Sequence, residues 1–490
     1  MIAEYIYEKA EADYSNRVLL MDLDDLESLT HYSTYFSLKG FSIIHYQNDL
    51  LLRSEHDNAF YDNNGKYLLI VSKESYVPYD IIRRYRCTNI SLSAIFSKLN
   101  ISVIKAHPEI TFDLLTLAYK DQFVDISDYQ QTERFIRTAV YGVTNLQKFI
   151  NIKNAELHSL AQEAVTYKDW CEVANLKAMI DCMAAEYELD IVTDDIHEGF
   201  ISFILENYGK LKGVPDADSP VLVSQAMDFM YENSDNRKFV VIVMDGMSEF
   251  DWTIISQSFN GVHYTKSDVF AMIPTTTSVS RQCLLSNKLP LMLNNPWSQS
   301  KEKSEFIECA KRLGFSSEQI GYGSGYDTDF GPFIKCGAII IIDVDKTVHM
   351  QKYGRAGMYR DIRALTKEEQ LVTLVKRLLS NGFDVFITAD HGNTPCIGMG
   401  QLKKLGVETE TKSRRMLVLK DFADSQSYKE QYSLIEFNKN NYLSKDYCYL
   451  LCGAGASFDA RGERVMSHGG ITIDEVIVPF ITIKAVDNNG

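Results

Sequence analysis

The stretch KFVVIVMDG, residues 238–246, is a run of six apolar residues that ends in an aspartate and a glycine. Similar runs follow at 337–343 (GAIIIID) and 383–390 (FDVFITAD), and a helical pattern, EEQLVTLVKRLLSNG, lies between these two. Apolar strands that alternate with helices are typical of a mainly parallel sheet with helices on both faces. We therefore predict an α/β fold here, with RMLVLKD (415–421), YCYLLCGAG (447–455) and EVIVPFITI (475–483) as further strands.

The chain has 490 residues, which is too long for one ordinary core. Residues 1–150 mix strand-like and helical runs and predict an N-terminal α/β domain. Residues 151–235 show apolar residues at helical spacing and predict a helical connector. Residues 236–490 form the predicted main domain.

Composition indicates a folded protein of a reducing compartment. Hydrophobic residues make up 45% of the chain, and its nine cysteines form no CxxC pair. No stretch of about 20 apolar residues could span a bilayer, and the acidic N-terminus does not resemble a signal peptide. We expect a cytoplasmic protein without a membrane partner.

The net charge of −16 is unevenly distributed. Residues 1–235 carry 20 Lys and Arg against 37 Asp and Glu, whereas residues 236–490 carry 30 against 29. The acidic N-terminal half suits a protein partner, and the overall charge does not indicate nucleic acid. Candidates for a locally basic surface in the second half are Lys403, Lys404, Lys412, Arg414 and Arg415.

Three carboxylates, Asp245, Asp345 and Asp390, lie at or just beyond the ends of predicted strands. Ligands bind outside the carboxyl ends of parallel strands, so these side chains should meet at one edge of the sheet. An aspartate after a strand is also a common turn or cap residue. The coincidence of three such aspartates with neighbouring histidines favours a binding site.

The histidines strengthen this prediction. His349 follows Asp345 by four residues, so one helical turn would place both on the same face. His391 is adjacent to Asp390, and His468 lies in the small-residue loop SHGG. Carboxylates and imidazoles with a nearby threonine run, Thr275 to Thr277, are suitable for two divalent metals and a nucleophile.

The order of these motifs resembles the metal-site order of the alkaline phosphatase superfamily. The motifs are VIVMDG (241–246), IPTTTSVSR (273–281), DKTVH (345–349), ITADHG (387–392) and SHGG (467–470). IPTTTSVSR together with HGGITIDEVIVPFI (468–481) resembles the PglZ domain in particular. The resemblance covers about 236–485, and residues 1–235 resemble the N-terminal part of PglZ proteins less specifically. It implies an alkaline-phosphatase-like fold.

The resemblance also favours one threonine as the nucleophile. Sulfatases of the superfamily carry their modified nucleophile at the start of a CxPSRxxLLTG pattern, to which TSVSRQCLLSN (277–287) runs parallel. Superfamily phosphodiesterases show a PTxT pattern, and both comparisons select Thr277. Thr276 is the reserve choice, and a threonine that only caps the following helix is the structural alternative. Without the sulfatase cysteine, a formylglycine enzyme is not expected.

The resemblance implies two ion sites. Asp245, Asp390, His391 and the Thr277 oxygen would hold one ion, and Asp345, His349 and His468 the other. Mixed nitrogen and oxygen ligands favour zinc, with manganese as the alternative. Asp343 could replace Asp345, but only Asp345 has the four-residue spacing to His349.

The predicted activity is hydrolysis of a phosphoric ester through a phosphothreonine intermediate. No single arginine is assignable to the extra charge of a monoester, which favours a phosphodiester or nucleotide substrate. PglZ proteins occur in bacterial anti-phage systems of the BREX type, so antiviral defence is the implied context. The alternative is a metal-binding scaffold or regulatory protein of a defence or signalling complex with little or no catalysis.

A second alternative concerns the N-terminal domain. Asp22 and Asp24 end the strand-like run RVLLMDLDD, as in haloacid-dehalogenase-like enzymes or the acidic pocket of receiver domains. No further Thr, Ser, Lys or acidic residues follow at persuasive positions, so this site is the weaker prediction.

Overall fold

The structure is a computed structural model that describes residues 1–56, 59, 64–73, 75–107, 110–401, 414–420, 425–438 and 440–485. The chain divides into two compact units, residues 1–149 and 150–490. Among the described helices, none is both long enough and apolar enough to cross a membrane. Lys403, Lys404 and Lys412, which were predicted to form a basic surface, lie outside the described residues.

The first unit contains a four-stranded parallel sheet in the order β2-β3-β1-β4. Its strands are β1 (Arg17–Asp22), β2 (Phe41–Tyr46), β3 (Lys66–Ser72) and β4 (Arg86–Ile90). Its described helices are α1 (Ile2–Lys9), α2 (Leu26–Thr30), α3 (Tyr32–Leu38), α4 (Asp49–Glu55), α5 (Tyr79–Ile82), α6 (Leu92–Ile95), α7 (Ile101–Ala106), α8 (Phe112–Lys120) and α9 (Tyr129–Phe135).

Both aspartates of the N-terminal alternative have structural partners. Asp22 accepts hydrogen bonds from the backbone N–H groups of Leu26 and Glu27, each at 2.8 Å, at the start of α2. Asp24 forms an ion pair with Lys105 at 3.0 Å and accepts the N–H of Leu92 at 2.9 Å. These contacts hold the loop after β1 in place.

The second unit is built on a six-stranded sheet in the order β6-β16-β9-β5-β8-β7. Strands β9, β5, β8 and β7 are parallel, and β16 pairs antiparallel with β9 and β6. These strands are β5 (Phe239–Met244), β6 (Thr265–Phe270), β7 (Ile320–Ser324), β8 (Cys336–Ile341), β9 (Asp384–Thr388) and β16 (Ile477–Ile483). Every residue of β5, β8 and β9 is buried, as expected for strands covered on both faces. The predicted mainly parallel α/β fold is confirmed.

Two predicted strands of this sheet lie elsewhere. RMLVLKD and YCYLLCGAG contribute to a separate antiparallel sheet in the order β11-β13-β12. A third small sheet has the order β14-β10-β15. The strands are β10 (Thr394–Gly398), β11 (Met416–Leu419), β12 (Ile435–Glu436), β13 (Cys448–Leu451), β14 (Ala456–Ser457) and β15 (Arg464–Ser467). A buried strand has the same apolar pattern in a parallel and in an antiparallel sheet, so the sequence could not show to which sheet each strand belongs.

Helices of the second unit surround these sheets. Their bounds are α10 (Val143–Glu163, which begins in the first unit), α11 (Tyr167–Tyr187), α12 (His197–Asn207), α13 (Ala226–Asn233), α14 (Glu249–Ile255), α15 (Thr277–Ser286), α16 (Glu302–Arg312), α17 (Asp343–Met350), α18 (Gly354–Thr366), α19 (Gln370–Ser380), α20 (Ser425–Tyr432) and α21 (Ile473–Val476). Short helices of other types span Ala12–Tyr14, Ile136–Val140, Asp194–Ile196, Tyr208–Gly213, Val223–Gln225, Asp235–Arg237, Ser256–Ser258, Pro290–Met292, Gln299–Lys301 and Ser317–Gln319.

The segment predicted as a connector, 151–235, lies within the second unit. Its buried side chains Trp170, Phe200 and Tyr208 belong to the same apolar core as β5. Residues 150–235 carry 17 Asp and Glu against 5 Lys and Arg, whereas residues 1–149 carry 20 against 15. Most of the acidic excess of the N-terminal half therefore belongs to helices of the second unit.

Candidate metal centre

The three carboxylates meet at one edge of the main sheet because their strands are neighbours. Strand β5 pairs in parallel with β8 on one side and with β9 on the other. Asp245 directly follows β5, Asp345 lies in the first turn of α17 after β8, and Asp390 follows β9 by two residues. Parallel pairing places these strand ends together, as the sequence analysis expected.

Asp245, Asp390 and His391 form a first, buried group. The His391 Nε2 atom lies 3.8 Å from Asp245 Oδ1 and 3.7 Å from Asp390 Oδ2. The other oxygen of Asp390, Oδ1, accepts the backbone N–H groups of Gly246 and His391, each at 3.1 Å. One carboxylate oxygen is thus anchored by the backbone while the other faces the histidine.

Asp345, His349 and His468 form a second group that is partly open to solvent. Asp345 Oδ1 lies 3.4 Å from His349 Nε2 and 3.5 Å from His468 Nε2. Helix α17 brings Asp345 and His349 onto one face through their four-residue spacing. The alternative Asp343 instead lies 3.2 Å from Lys346 Nζ.

Two histidines join the groups. The rings of His391 and His468 stack with centroids 4.1 Å apart and an interplanar angle of 12°. His391 Nδ1 donates to the carbonyl of Gly392 at 3.0 Å, and His468 Nδ1 donates to the carbonyl of Thr275 at 3.1 Å. Because a carbonyl only accepts, each ring carries a proton on Nδ1, so that the neutral tautomer would offer its Nε2 lone pair to the group.

Both groups fit a divalent metal ion. Two ligands about 2.1 Å from an ion in tetrahedral geometry lie roughly 3.4 Å apart, close to the separations of 3.4 to 3.8 Å within each group. Asp345 Oδ1 and Asp390 Oδ2 are buried and have no hydrogen-bond partner among the described residues. Buried carboxylate oxygens normally have partners, and an ion in each group would supply them.

The electrostatics of the first group and of His468 fit a bound cation, whereas the contact with Asp345 raises the pKa of His349. Burial, followed by the charge of Asp390, raises the pKa of Asp245. Burial also raises the pKa of Asp390, to about 6. Burial and the neighbouring His391 lower the pKa of His468 to about 4, which favours the neutral imidazole that binds metals. A cation in the first group would relieve the crowding of its two carboxylates.

Thr277 lies beside the first group, at the first residue of α15. Its Oγ1 is 3.0 Å from His391 Nε2 and 3.4 Å from Asp245 Oδ1. The start of a ten-residue helix has unpaired N–H groups and a partial positive charge, which stabilise a negatively charged oxygen there. The reserve choice, Thr276, has a buried hydroxyl without a hydrogen-bond partner in the described part of the chain.

Arg281 has a structural role that the sequence did not reveal. Its Nη1 donates to Asp245 Oδ2 at 2.5 Å and lies 3.9 Å from Asp390 Oδ2, and its Nε donates to Glu302 at 2.8 Å. Tyr322 in turn donates its hydroxyl to Glu302. In the sequence, Arg281 is in register with the arginine of the sulfatase pattern and follows Thr277 by four residues, one turn along α15.

A third group of titratable side chains, Asp194, His197 and Asp474, lies in the same unit. Lys177 Nζ is 3.1 Å from a carboxylate oxygen of each aspartate, and Arg355 lies 2.8 Å from Asp194 and 2.6 Å from Asp474. Both cations also contact Asp181, at 2.7 and 3.1 Å, so they are shared among three carboxylates. We interpret this group as an ion network that ties the helices around residue 194 to α21, directly before β16.

Thr275 connects the threonine run to the loop of His468. Its hydroxyl donates to the carbonyl of Gly470 at 2.7 Å and accepts the N–H of Gly469 at 3.1 Å. Its own carbonyl accepts the Nδ1 proton of His468. Thr275 therefore fixes both the loop and the orientation of the imidazole.

Replacing Thr275 with valine should weaken metal binding by the second group. The substitution keeps the shape but leaves two buried backbone groups unpaired, which should cost about 2 kcal/mol of unfolding free energy. Changes behind a histidine ligand typically lower metal affinity by roughly 10- to 100-fold. Denaturant unfolding and calorimetric metal titration would measure both effects, and Thr275→Ser should restore them. Unchanged metal affinity in Thr275→Val would contradict this role.

Carboxylates and histidines beside a threonine at the edge of an α/β sheet define a candidate metal-dependent hydrolase centre. Residues 338–483 match the family model described as the BREX system PglZ alkaline phosphatase-like domain. Residues 338–483 are therefore a PglZ alkaline phosphatase-like domain, as the motifs predicted. The match includes five of the six predicted ligands, whereas Asp245 and Thr277 precede it.

Solved structures with similar folds include two ectonucleotide pyrophosphatase/phosphodiesterases 5. The human protein is 15% identical, with a TM-score of 0.37, over 50% of this chain and 87% of that chain. The murine protein is 13% identical, with a TM-score of 0.35, over 50% and 88%. Phosphonoacetate hydrolase from Sinorhizobium meliloti 1021 is 11% identical, with a TM-score of 0.29, over 52% and 91%. None of the curated proteins matches this chain.

The family match and the two groups support a phosphohydrolase of this superfamily. The assignment of each residue as ligand or nucleophile stays a prediction, and so does the identity of the metal.

Proposed function

We propose that the protein is a phosphodiesterase that uses two divalent metal ions and Thr277 as its nucleophile. The observation that carries this proposal is the position of the Thr277 hydroxyl, 3.0 Å from His391 Nε2 and at the start of α15. A threonine hydroxyl is a weak nucleophile unless a neighbouring group activates it.

The first group would hold one ion through Asp245, Asp390 and His391, and the second group the other through Asp345, His349 and His468. Zinc suits this mixture of nitrogen and oxygen donors, with manganese as the alternative. When bound, such ions supply Lewis-acid stabilisation of charge on the phosphoryl oxygens and lower the pKa of a nearby hydroxyl or water.

Thr277, His391 and His468 would have different roles in the hydrolysis. Thr277 Oγ1 would lose its proton to solvent and attack the phosphorus atom in line with the departing oxygen. The bond from phosphorus to Oγ1 forms, the bond to the departing oxygen breaks, and that oxygen takes up a proton from solvent. A water molecule then cleaves the phosphothreonine and regenerates the hydroxyl. His391 and His468 keep their positions through the Nδ1 bonds to Gly392 and Thr275.

The charges near the centre support a diester over a monoester. Arg281, the arginine of the first group, is buried and already bonds Asp245 and Glu302. It is therefore not free to hold the second negative charge of a monoester.

The family description also motivates the proposal of a role in BREX-type anti-phage defence, in the cytoplasm. The acidic helices of residues 150–235 are our proposed contact for a protein partner.

Hydrolysis of bis-p-nitrophenyl phosphate tests the proposal. Purified protein loaded with zinc or manganese should release p-nitrophenol, with p-nitrophenyl phosphate cleaved at least about tenfold more slowly. Removal of the metals by a chelator should abolish the reaction, readdition should restore it, and elemental analysis should find about two ions per chain. Two bound ions without hydrolysis under any metal would favour the alternative of a metal-binding scaffold.

A further inference from the structure

A cavity of about 440 Å³ lies in the second unit beside the small sheet that contains β10 and β15. Side chains on its wall include Asp194, Lys352, Tyr353, Ile397, Arg464 and Val465. Its volume falls within the range of roughly 300 to 1,000 Å³ that small-molecule sites occupy. None of the predicted ligands or the nucleophile lines it.

Three chain segments that carry histidines of the metal centre continue into this wall. Lys352 follows His349 by three residues, and Val465 precedes His468 by three. Strand β10 begins three residues after His391 and pairs antiparallel with β15, so that Thr394 faces Ser467 and Ile397 faces Arg464. The first of these pairs adjoins the histidines and the second lines the cavity. Three residues of strand separate them, which is roughly 10 Å.

Solvent reaches the metal centre from the same direction. Asp245, Asp390 and His391 of the first group are buried, whereas the side chain of His349 in the second group is 41% exposed. The residues that follow His349 are also exposed, among them Met350 (72%) and Tyr353 (75%). His349 is therefore the most solvent-exposed residue of the two groups.

In-line attack places the leaving group on this side. Thr277 contacts the first group through His391, and the His391 ring stacks on His468 of the second group. The departing oxygen lies opposite the attacking oxygen across the phosphorus atom. With the phosphoryl group between the two groups, a leaving group opposite Thr277 would lie on the side of the second group, whose His349 and His468 are each three residues from a residue of the cavity wall.

The chemistry of the wall defines what it would bind. Lys352 and Arg464 are exposed and form no ion pair with a described residue, and Asp194 is already held by Arg355 and Lys177. The free charge of the wall is therefore positive. The Tyr353 ring, which has Arg360 5.9 Å from its centroid, and the side chain of Ile397, which is 55% exposed, offer apolar surface for a ring.

We propose that this cavity selects a leaving group that consists of a ring system with its own phosphate, as in a nucleotide. Lys352 and Arg464 bind the second phosphate, and Tyr353 and Ile397 contact the ring. This inference rests on the proposed function, because it takes the direction of the leaving group from attack by Thr277. It adds residues that determine specificity and that the family match does not identify.

Calorimetric binding to the Thr277→Ala protein, loaded with metal, tests the cavity without turnover. The ligands are adenosine 3′,5′-bisphosphate and adenosine 5′-monophosphate, which differ only in the second phosphate. We expect the bisphosphate to bind at least about tenfold more tightly, from two added charge-assisted contacts. The Lys352→Ala/Arg464→Ala double variant should bind both ligands equally. Lys376→Ala, which removes an exposed lysine of α19 outside the cavity, should keep the tenfold difference.

Equal affinity for the two ligands in the parent protein would overturn the inference, and so would a tenfold difference that persists in the double variant. If circular dichroism shows that the double variant does not fold, each single variant should reduce the difference by at least threefold, and no reduction in either overturns the inference. Because binding requires no turnover, these results are independent of bis-p-nitrophenyl phosphate hydrolysis. Failure of hydrolysis alone counts against the proposed function, and failure of selective binding alone counts against the cavity.

Discussion

Replacing Thr277 with alanine is expected to lower kcat for bis-p-nitrophenyl phosphate at least about a thousand-fold, because the attacking oxygen is removed. The methyl-sized side chain that remains fits the start of α15, where Thr277 is only partly buried. The unfolding transition and the metal content should therefore stay close to those of the parent protein. Steady-state kinetics, elemental analysis and thermal unfolding would measure the three quantities.

Two neighbouring substitutions serve as controls for this result. Thr277→Ser keeps a hydroxyl at the same place and should retain a measurable part of the activity. Thr276→Val removes a hydroxyl without a hydrogen-bond partner among the described residues, and should change kcat by less than about tenfold. Full activity of Thr277→Ala together with loss in Thr276→Val would show that the reserve threonine is the nucleophile.

Replacing Arg415 with methionine is expected to lower the free energy of unfolding by about 3 to 5 kcal/mol, because it leaves a buried carboxylate unpaired. Arg415 is fully buried, and it donates to Glu475 from Nε at 2.8 Å and from Nη2 at 3.1 Å. Glu475 also accepts the N–H of Gly470 at 2.8 Å and the hydroxyl of Thr472 at 2.7 Å. The pair therefore supports the loop that carries His468, and metal binding by the second group should weaken as well.

The adjacent arginine offers a matched control for this prediction. Arg414 is partly exposed and pairs with Asp459 at 3.0 Å, so Arg414→Ala should cost less than about 1 kcal/mol. The double variant Arg415→Met/Glu475→Gln should be more stable than Arg415→Met, because no buried charge is left alone. Denaturant titration would measure all three, and a loss below about 1 kcal/mol in Arg415→Met would show that the pair is not important for stability.

The burial of Arg415 could not be predicted from the sequence. It was predicted to belong to a basic surface near the site, but it is buried and paired with Glu475. Nothing in a short run of charge distinguishes a solvated arginine from one that enters a core. The partner of Arg415 lies 60 residues away in sequence, and only folding brings the two together.

The glycines of the SHGG loop illustrate the same limit. In the sequence they mark only a small-residue loop around His468. In the structure, Gly470 packs so closely that an added Cβ would lie 2.7 Å from Arg415 and 2.9 Å from Glu475. Gly469 has a φ of +111°, which disfavours other residues. These requirements depend on residues distant in sequence.

The sequence by itself determined the α/β fold of the second half and the residues that gather at the edge of its main sheet. Both follow from local patterns: apolar runs that end in Asp245 and Asp390, and the four-residue spacing of Asp345 and His349. Parallel pairing of β8, β5 and β9 then brings distant strand ends together. Side-chain periodicity depends only on residues that are close in sequence, so it can be recognised before the fold is known.

Only the tertiary structure decided how this edge is supported. It placed β11 and β13 in a separate sheet, included the helices of residues 150–235 in the second unit, and set Thr275 against the loop of His468. It also placed Arg281 on Asp245 and positioned Lys352 and Arg464 around one cavity. Each of these arrangements joins residues that are far apart in sequence or whose local pattern fits several environments, so that long-range packing alone selects among them.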